Sequence, residues 1–118
     1  MTEVKLKKTI GLNKTSFEIE IKGHSDAERN TKENDLCCCA VSVLGCTLLA
    51  NIEKEYKEYK PEMIEKSGYI KIALSLKNGE AVKQAETIIN AIFYGFELIE
   101  KNYSKNVKLE TKIKYKKN

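Results

Sequence analysis

The chain has 118 residues, 42% of them hydrophobic, and its 21 basic and 17 acidic side chains leave a net charge of +4. That length and apolar content suit a single domain over 1–118 with a real core and exclude a disordered chain. The charge is scattered, with one small basic cluster at Lys112, Lys114, Lys116 and Lys117 and no basic patch interleaved with stacking aromatics, so solvated surface is expected and no direct nucleic-acid partner.

Residues 2–8 alternate, with Val4 and Leu6 on one side and Glu3, Lys5 and Lys7 on the other. Gly11, Asn13 and Lys14 mark a turn, after which Phe17, Ile19 and Ile21 alternate with Glu18, Glu20 and Lys22. These are two half-buried strands of a hairpin. Residues 24–34 carry almost no apolar side chain and predict an exposed loop. Asp35 is a suitable N-cap for a helix, its carboxylate accepting the N–H of Cys38.

That helix is apolar nearly all round as far as Leu49, which predicts cover on more than one side, then charged through Glu53–Glu58, with Pro61 ending it. The run 36–52 contains Ser42, Gly45, Thr47 and Asn51, so it falls short of the ~20 apolar residues of a membrane span and reads as a buried helix. Residues 62–66 and 69–76 form a second hairpin about Ser67-Gly68, with Ile70, Ile72, Leu74 and Leu76 on one face. From Glu80 to Tyr103, Val82, Ala85, Ile89, Ile92, Phe96, Ile99 and Tyr103 step by three and four, the clearest helix in the chain. Val107, Leu109, Ile113 and Tyr115 then alternate with Lys108, Glu110, Lys112 and Lys114 in a last strand.

Strands with one apolar and one charged face make a sheet covered on one side only. The expected fold is therefore two-layer α+β, two helices on one face of a mixed or antiparallel sheet, in the order ββαββαβ. Residues 1–8 lack the apolar core of an export signal. Three of the four cysteines are adjacent, a poor disulfide framework, so reduced thiols in a cytoplasm are expected.

Chemistry concentrates in residues 23–42. The only histidine, His24, stands at one end of the polar loop, and Cys37, Cys38 and Cys39 stand at the other, where the helix begins. The first turn of a helix and a neighbouring imidazole both stabilise a thiolate, which suits a cysteine nucleophile. Against this, cysteines deep in an apolar helix are ordinarily small core residues, and Cys39 and Cys46 are read that way. Zinc binding is disfavoured because zinc cysteines come as pairs spaced two to four apart. No metal or other cofactor is expected. Redox pairing of Cys37 with Cys38 would strain the backbone.

Gly23-His24-Ser25, a polar loop, then Asp35-Leu36-Cys37-Cys38-Cys39-Ala40-Val41-Ser42 resembles the signature of the ribosomal-processing cysteine proteases (Prp, YsxB-like). That signature is Gly-His-Ala/Ser, a loop, Asp, two mostly apolar residues, the nucleophilic Cys, small residues and Ser. Element order extends the likeness over nearly the whole chain. Aligned on Asp35, the nucleophile falls on Cys38 and the general base on His24, with Gly23, Asp35 and Ser42 in supporting positions. Asp35 is then a helix cap that shapes the loop or, alternatively, orients His24, and Ser42 either contacts substrate or packs. The loop is slightly longer than usual, and Asn34 stands where glycine is common.

The resemblance implies a homodimeric cysteine endopeptidase. Its partner and substrate would be the N-terminal extension of large-ribosomal-subunit protein twenty-seven, removed during ribosome maturation. It also implies a loop, 25–34, that orders around the peptide. The apolar start of the first helix is one candidate for the dimer surface. The alternatives are a non-catalytic ribosome-associated module of the same fold and a thiol redox or metal protein.

Overall fold

In the computed structural model, residues 1–23 and 32–116 are described, the side chains of 32–34 excepted. Strands β1 (Thr2–Ile10) and β2 (Lys14–Lys22) are followed by α1 (Lys32–Glu55), a short 3-10 turn (Lys57–Tyr59), β3 (Glu62–Lys66), β4 (Tyr69–Lys77), α2 (Glu80–Asn102) and β5 (Val107–Tyr115). The five strands form one sheet in the order β3-β4-β2-β1-β5. β1 runs antiparallel to β2 and parallel to β5, and β4 pairs antiparallel with both β2 and β3. The fold is thus two-layer α+β with a mixed sheet, in the expected element order.

Alternation within each strand decides which side of the sheet is dry. Val4, Phe17, Ile19, Ile72, Leu74 and Leu76 are buried and meet Leu48 and Ile52 of α1 and Ala85, Ile89 and Phe96 of α2 in one core. The ring of Phe93 stands edge-on to Phe96, 5.1 Å between centroids. The stepped pattern read along α2 omits Phe93, which is buried, and includes Val82 and Ile92, which are only partly so.

β1 also ends later than expected, at Ile10. The turn after it is held from outside: the Asn78 side-chain amide donates to the carbonyls of Gly11 and Leu12, 3.0 Å each. At the β5 edge, Glu100 of α2 accepts the Leu109 N–H at 2.6 Å.

α1 departs from its expected boundaries at both ends. It starts at Lys32, so Asp35 is an exposed residue inside the helix and not its N-cap. Lys and Glu have good intrinsic helix propensity, in keeping with the start at Lys32. The helix stops at Glu55, well short of Pro61, and Lys60 turns the chain in the left-handed region at φ 51°.

Cover is also thinner than the composition suggests. The segment Asp35–Glu55 is long and apolar enough to cross a membrane by those criteria alone. Cys37, Val41, Leu48 and Ile52 pack into the core, and Leu44 meets α2 at Gly95, where an added Cβ would stand 2.8 Å from Leu44 Cδ1. The rest of the circumference is open: Leu36 and Val43 are 61% and 59% exposed.

Candidate active site

A cleft of about 360 Å³ opens where α1 passes the end of β2 and the β3–β4 turn, with Gly23, Cys38, Ser42 and Ser67-Gly68 among its lining residues. Its floor is apolar, from Ile21, Val41 and Ile70. Gly45 lets the helix come down onto that floor: a Cβ there would lie 2.9 Å from Ile21 Cδ1 and 3.2 Å from Ile70 Cδ1. The wall is closed by two glycines. Gly23 N–H donates to the Gly68 carbonyl at 2.8 Å, and Gly68 sits at φ 72° with room for a Cβ only 3.0 Å from Gly23 oxygen. Only glycine takes that turn without strain.

Helical geometry separates the four thiols. A helix advances ~100° per residue, so Cys37, Val41, Leu48 and Ile52 share the sheet-facing side. Cys38 lies about a quarter-turn away and is half-buried at the cleft. Ser42 and Cys46 follow at four-residue steps, on the same flank and lining the same cleft. All four thiols are free.

Cys37 is 1% exposed, and burial, then the charge of neighbouring Cys38, push its thiol up. It is an inert core residue. Cys39 and Cys46, expected in the core, are instead exposed, because each lies about half a turn round from Cys37.

The N-cap expectation had placed Cys38 in the first turn. With the helix starting at Lys32, Cys38 is instead near the end of the second. A helical amide there donates to the carbonyl four residues back, so it is already used. Gly23, Cys38 and Ser42 come together at the cleft. His24, and residues 25–31 of the loop, lie outside the described residues.

Tyr69 contributes to the lining, yet its hydroxyl donates to Glu20 at 2.9 Å, and Glu20 belongs to the sheet face opposite the helices. That bond, then burial and the charges of Glu20 and Glu62, hold the phenol above its ordinary range, so it stays protonated. Among the described residues no three Cys, His, Asp or Glu side chains converge as a metal-ligand set.

The sequence reading makes Cys46 a core residue and Ser67-Gly68 a turn, and places neither in the site. Cys46 was within its reach, at two four-residue steps from Cys38. The turn was not, because nothing local says that Gly68 will lie against Gly23.

The model of the family described as cysteine protease Prp (Peptidase_Prp) matches residues 1–108. The fold is similar to that of the essential ribosomal processing protease Prp from S. aureus in complex with a substrate peptide, with TM-score 0.66 and 18% identity over 98% of this chain and 100% of that one. The same S. aureus protease with a covalently linked product peptide gives TM-score 0.61 and 18% identity over 96% and 99%. SMU.848 from Streptococcus mutans gives TM-score 0.63 and 22% identity over 97% and 99%. The search of curated proteins returned no significant match. The structural likenesses establish a shared fold.

Proposed function

The chain belongs to the cysteine protease Prp family and is a cysteine peptidase, and on that premise we propose that it processes a ribosomal protein, with Cys38 as nucleophile and His24 as general base. The substrate is the N-terminal extension of large-ribosomal-subunit protein twenty-seven, and the enzyme works in the cytoplasm as a homodimer. One observation carries the assignment: of the four thiols, Cys38 is the one that is half-buried at the mouth of an apolar cleft whose wall ends at Gly23, and the next residue in the chain is His24. The S. aureus relative is a ribosomal processing protease and takes a substrate peptide.

In the proposed reaction the Cys38 sulfur attacks the scissile carbonyl carbon while His24 takes the thiol proton. The C–N bond breaks as His24 gives that proton to the leaving amine, and a thioester remains. Water then attacks the thioester, its proton passing to His24, and the C–S bond breaks to release the acid and restore Cys38. The Cys38 amide is used by the helix, so oxyanion stabilisation falls to donors outside the helical ladder. Ser42, exposed one turn on and lining the cleft, holds the peptide through its hydroxyl. Asp35, exposed in the helix, has no catalytic part in this scheme. Leu36 and Val43, left open beside the α1–α2 contact, support this helical layer as the dimer surface.

Incubation with a peptide spanning the extension junction tests the reading. Cleavage is expected in the wild type, Cys37→Ala and Cys39→Ala, and is expected to vanish in Cys38→Ala and His24→Ala. Turnover that survives in Cys38→Ala sinks the assignment, and tight binding without turnover in the wild type identifies a binding module instead.

A further inference from the structure

The open face of the sheet, opposite the helices, is not evenly charged. Read across the strands in register, one row runs Lys71, Glu20, Lys5, Glu110, alternating in sign at every step. Two residues further along, towards the β1–β2 turn, the alternation fails: Lys7 stands directly beside Lys112, and Lys114 follows on β5 next to Thr9. The next row is hydroxyls, Thr9, Ser16 and Ser75, the two serines bonded at 2.8 Å. Beyond it Lys14 pairs with Lys77.

A row of three hydroxyls is therefore flanked by five lysines, and none of the five makes an ion pair among the described residues. Of the acids at this end, Glu18 on β2 stands opposite Lys7 and offsets part of its charge, and Glu62 on β3 is already 3.7 Å from Lys71. Like charges placed side by side in a sheet are destabilising, so this arrangement works against the isolated fold.

We propose that this end of the open face, Lys7, Lys14, Lys77, Lys112 and Lys114 around Thr9, Ser16 and Ser75, binds the sugar-phosphate backbone of double-stranded RNA. Within each of two groups, Lys7, Lys112 and Lys114 on one side of the hydroxyls and Lys14 and Lys77 on the other, neighbouring lysines stand ~5–7 Å apart, facing a polyanion whose charges are closely and regularly spaced. Lysine and hydroxyl side chains are the usual donors to phosphate oxygens, and hydroxyls also suit the 2′-OH groups of an A-form minor groove. The lysine and hydroxyl rows carry no aromatic side chain to stack on bases, and the exposed Leu12 of the adjoining β1–β2 turn is a single apolar side chain, so binding is independent of sequence and carried by charge. The sequence expectation of no nucleic-acid partner rests on scattered charge, and register changes that premise: lysines separated in sequence by up to about a hundred residues become neighbours only in the sheet. The surface lies on the opposite side of the sheet from Cys38, so the proposal stands apart from the protease reading.

The test titrates the full chain with an RNA duplex of about two helical turns at several salt concentrations. The expected result is binding whose log–log salt slope is reduced by about 3 in the triple variant Lys7→Gln/Lys112→Gln/Lys114→Gln, with affinity at least ~10-fold weaker. Lys→Arg at the same three positions keeps the binding, and junction-peptide cleavage by the Gln variant stays at the wild-type rate. The proposal is overturned by no binding at low salt, by equal loss in a control variant Lys54→Gln/Lys83→Gln/Lys101→Gln on the helical layer, by equal affinity for a DNA duplex, or by binding to phosphatidylserine vesicles in place of RNA.

Discussion

The two helices lie on the same sheet and use their apolar residues differently. α2 buries Ala85, Ile89, Phe93, Phe96 and Ile99 along one stripe and leaves Tyr94 and Leu98 as its exposed large apolar side chains amid a mostly polar outer side. α1 is apolar nearly all round, yet it commits one side to the core and leaves Leu36, Val43, Cys39 and Cys46 accessible. A helix that needs only to cap a sheet has no use for the second apolar side. On the proposed reading, the excess on α1 serves two contacts, the substrate at the cleft along Cys38, Ser42 and Cys46 and a second copy at the outer ridge of Leu36 and Val43. The difference is one of extent: the outer side of α1 is apolar along most of its length, that of α2 only at Tyr94 and Leu98.

Truncating each kind of residue breaks that comparison most directly. Phe96→Ala on α2 empties a fully buried site and is expected to cost ~3–5 kcal/mol in urea denaturation, whereas Val43→Ala on α1 stays within ~0.5 kcal/mol. Leu36→Asp/Val43→Asp is expected to leave the fold intact and halve the mass seen by sedimentation. A dimer that persists in that variant removes the outer ridge as the interface.

The glycines sharpen it next. Gly95→Ala on α2 drives a Cβ against the branched end of Leu44 at the helix crossing, and after the gain in helix propensity is expected to destabilise by ~1–2 kcal/mol net. Gly45→Ala on α1 meets only the flexible tips of Ile21 and Ile70, and its gain in helix propensity of ~1 kcal/mol offsets the crowding. Its stability is expected near wild type. The tips that move line the cleft, so KM for the junction peptide should rise several-fold with kcat little changed; an unaltered KM would separate this floor from the substrate site.

The smallest effect concerns the adjacent thiols Cys37 and Cys38. Burial holds the Cys37 proton more tightly in the folded chain than in the unfolded one. That contribution to stability is complete below the ordinary thiol range and is lost as pH climbs through the raised value. Cys37→Val fills similar space without a titrating group, so its urea midpoint should fall less steeply in alkali than that of the wild type. Parallel curves would show that Cys37 ionises as freely in the fold as outside it.

Periodicity was sufficient for the element order, the covered face of the sheet and α2, because these follow from side-chain alternation along a local stretch of chain. The cysteine that the resemblance selects, Cys38, lines the cleft, and so does Cys46 two four-residue steps on. Where α1 begins was beyond that reading, because Asp35 satisfies the rules for a cap and still sits within a helix that Lys32 and Glu33 continue upstream. The thiols divided otherwise than expected, since adjacency in sequence becomes ~100° of separation on a helix: Cys37 turns to the core and Cys39 to solvent.

By itself, then, the order of residues determined which segments become strands or helices and which face of each is dry. Only the tertiary structure decided that β5 lies parallel to β1, that Gly68 closes against Gly23 to wall a cleft, and that Lys7 comes to stand beside Lys112. Those contacts join residues far apart in the chain. Hydrophobic burial and hydrogen bonding select among many possible pairings there, and no local pattern records which one wins.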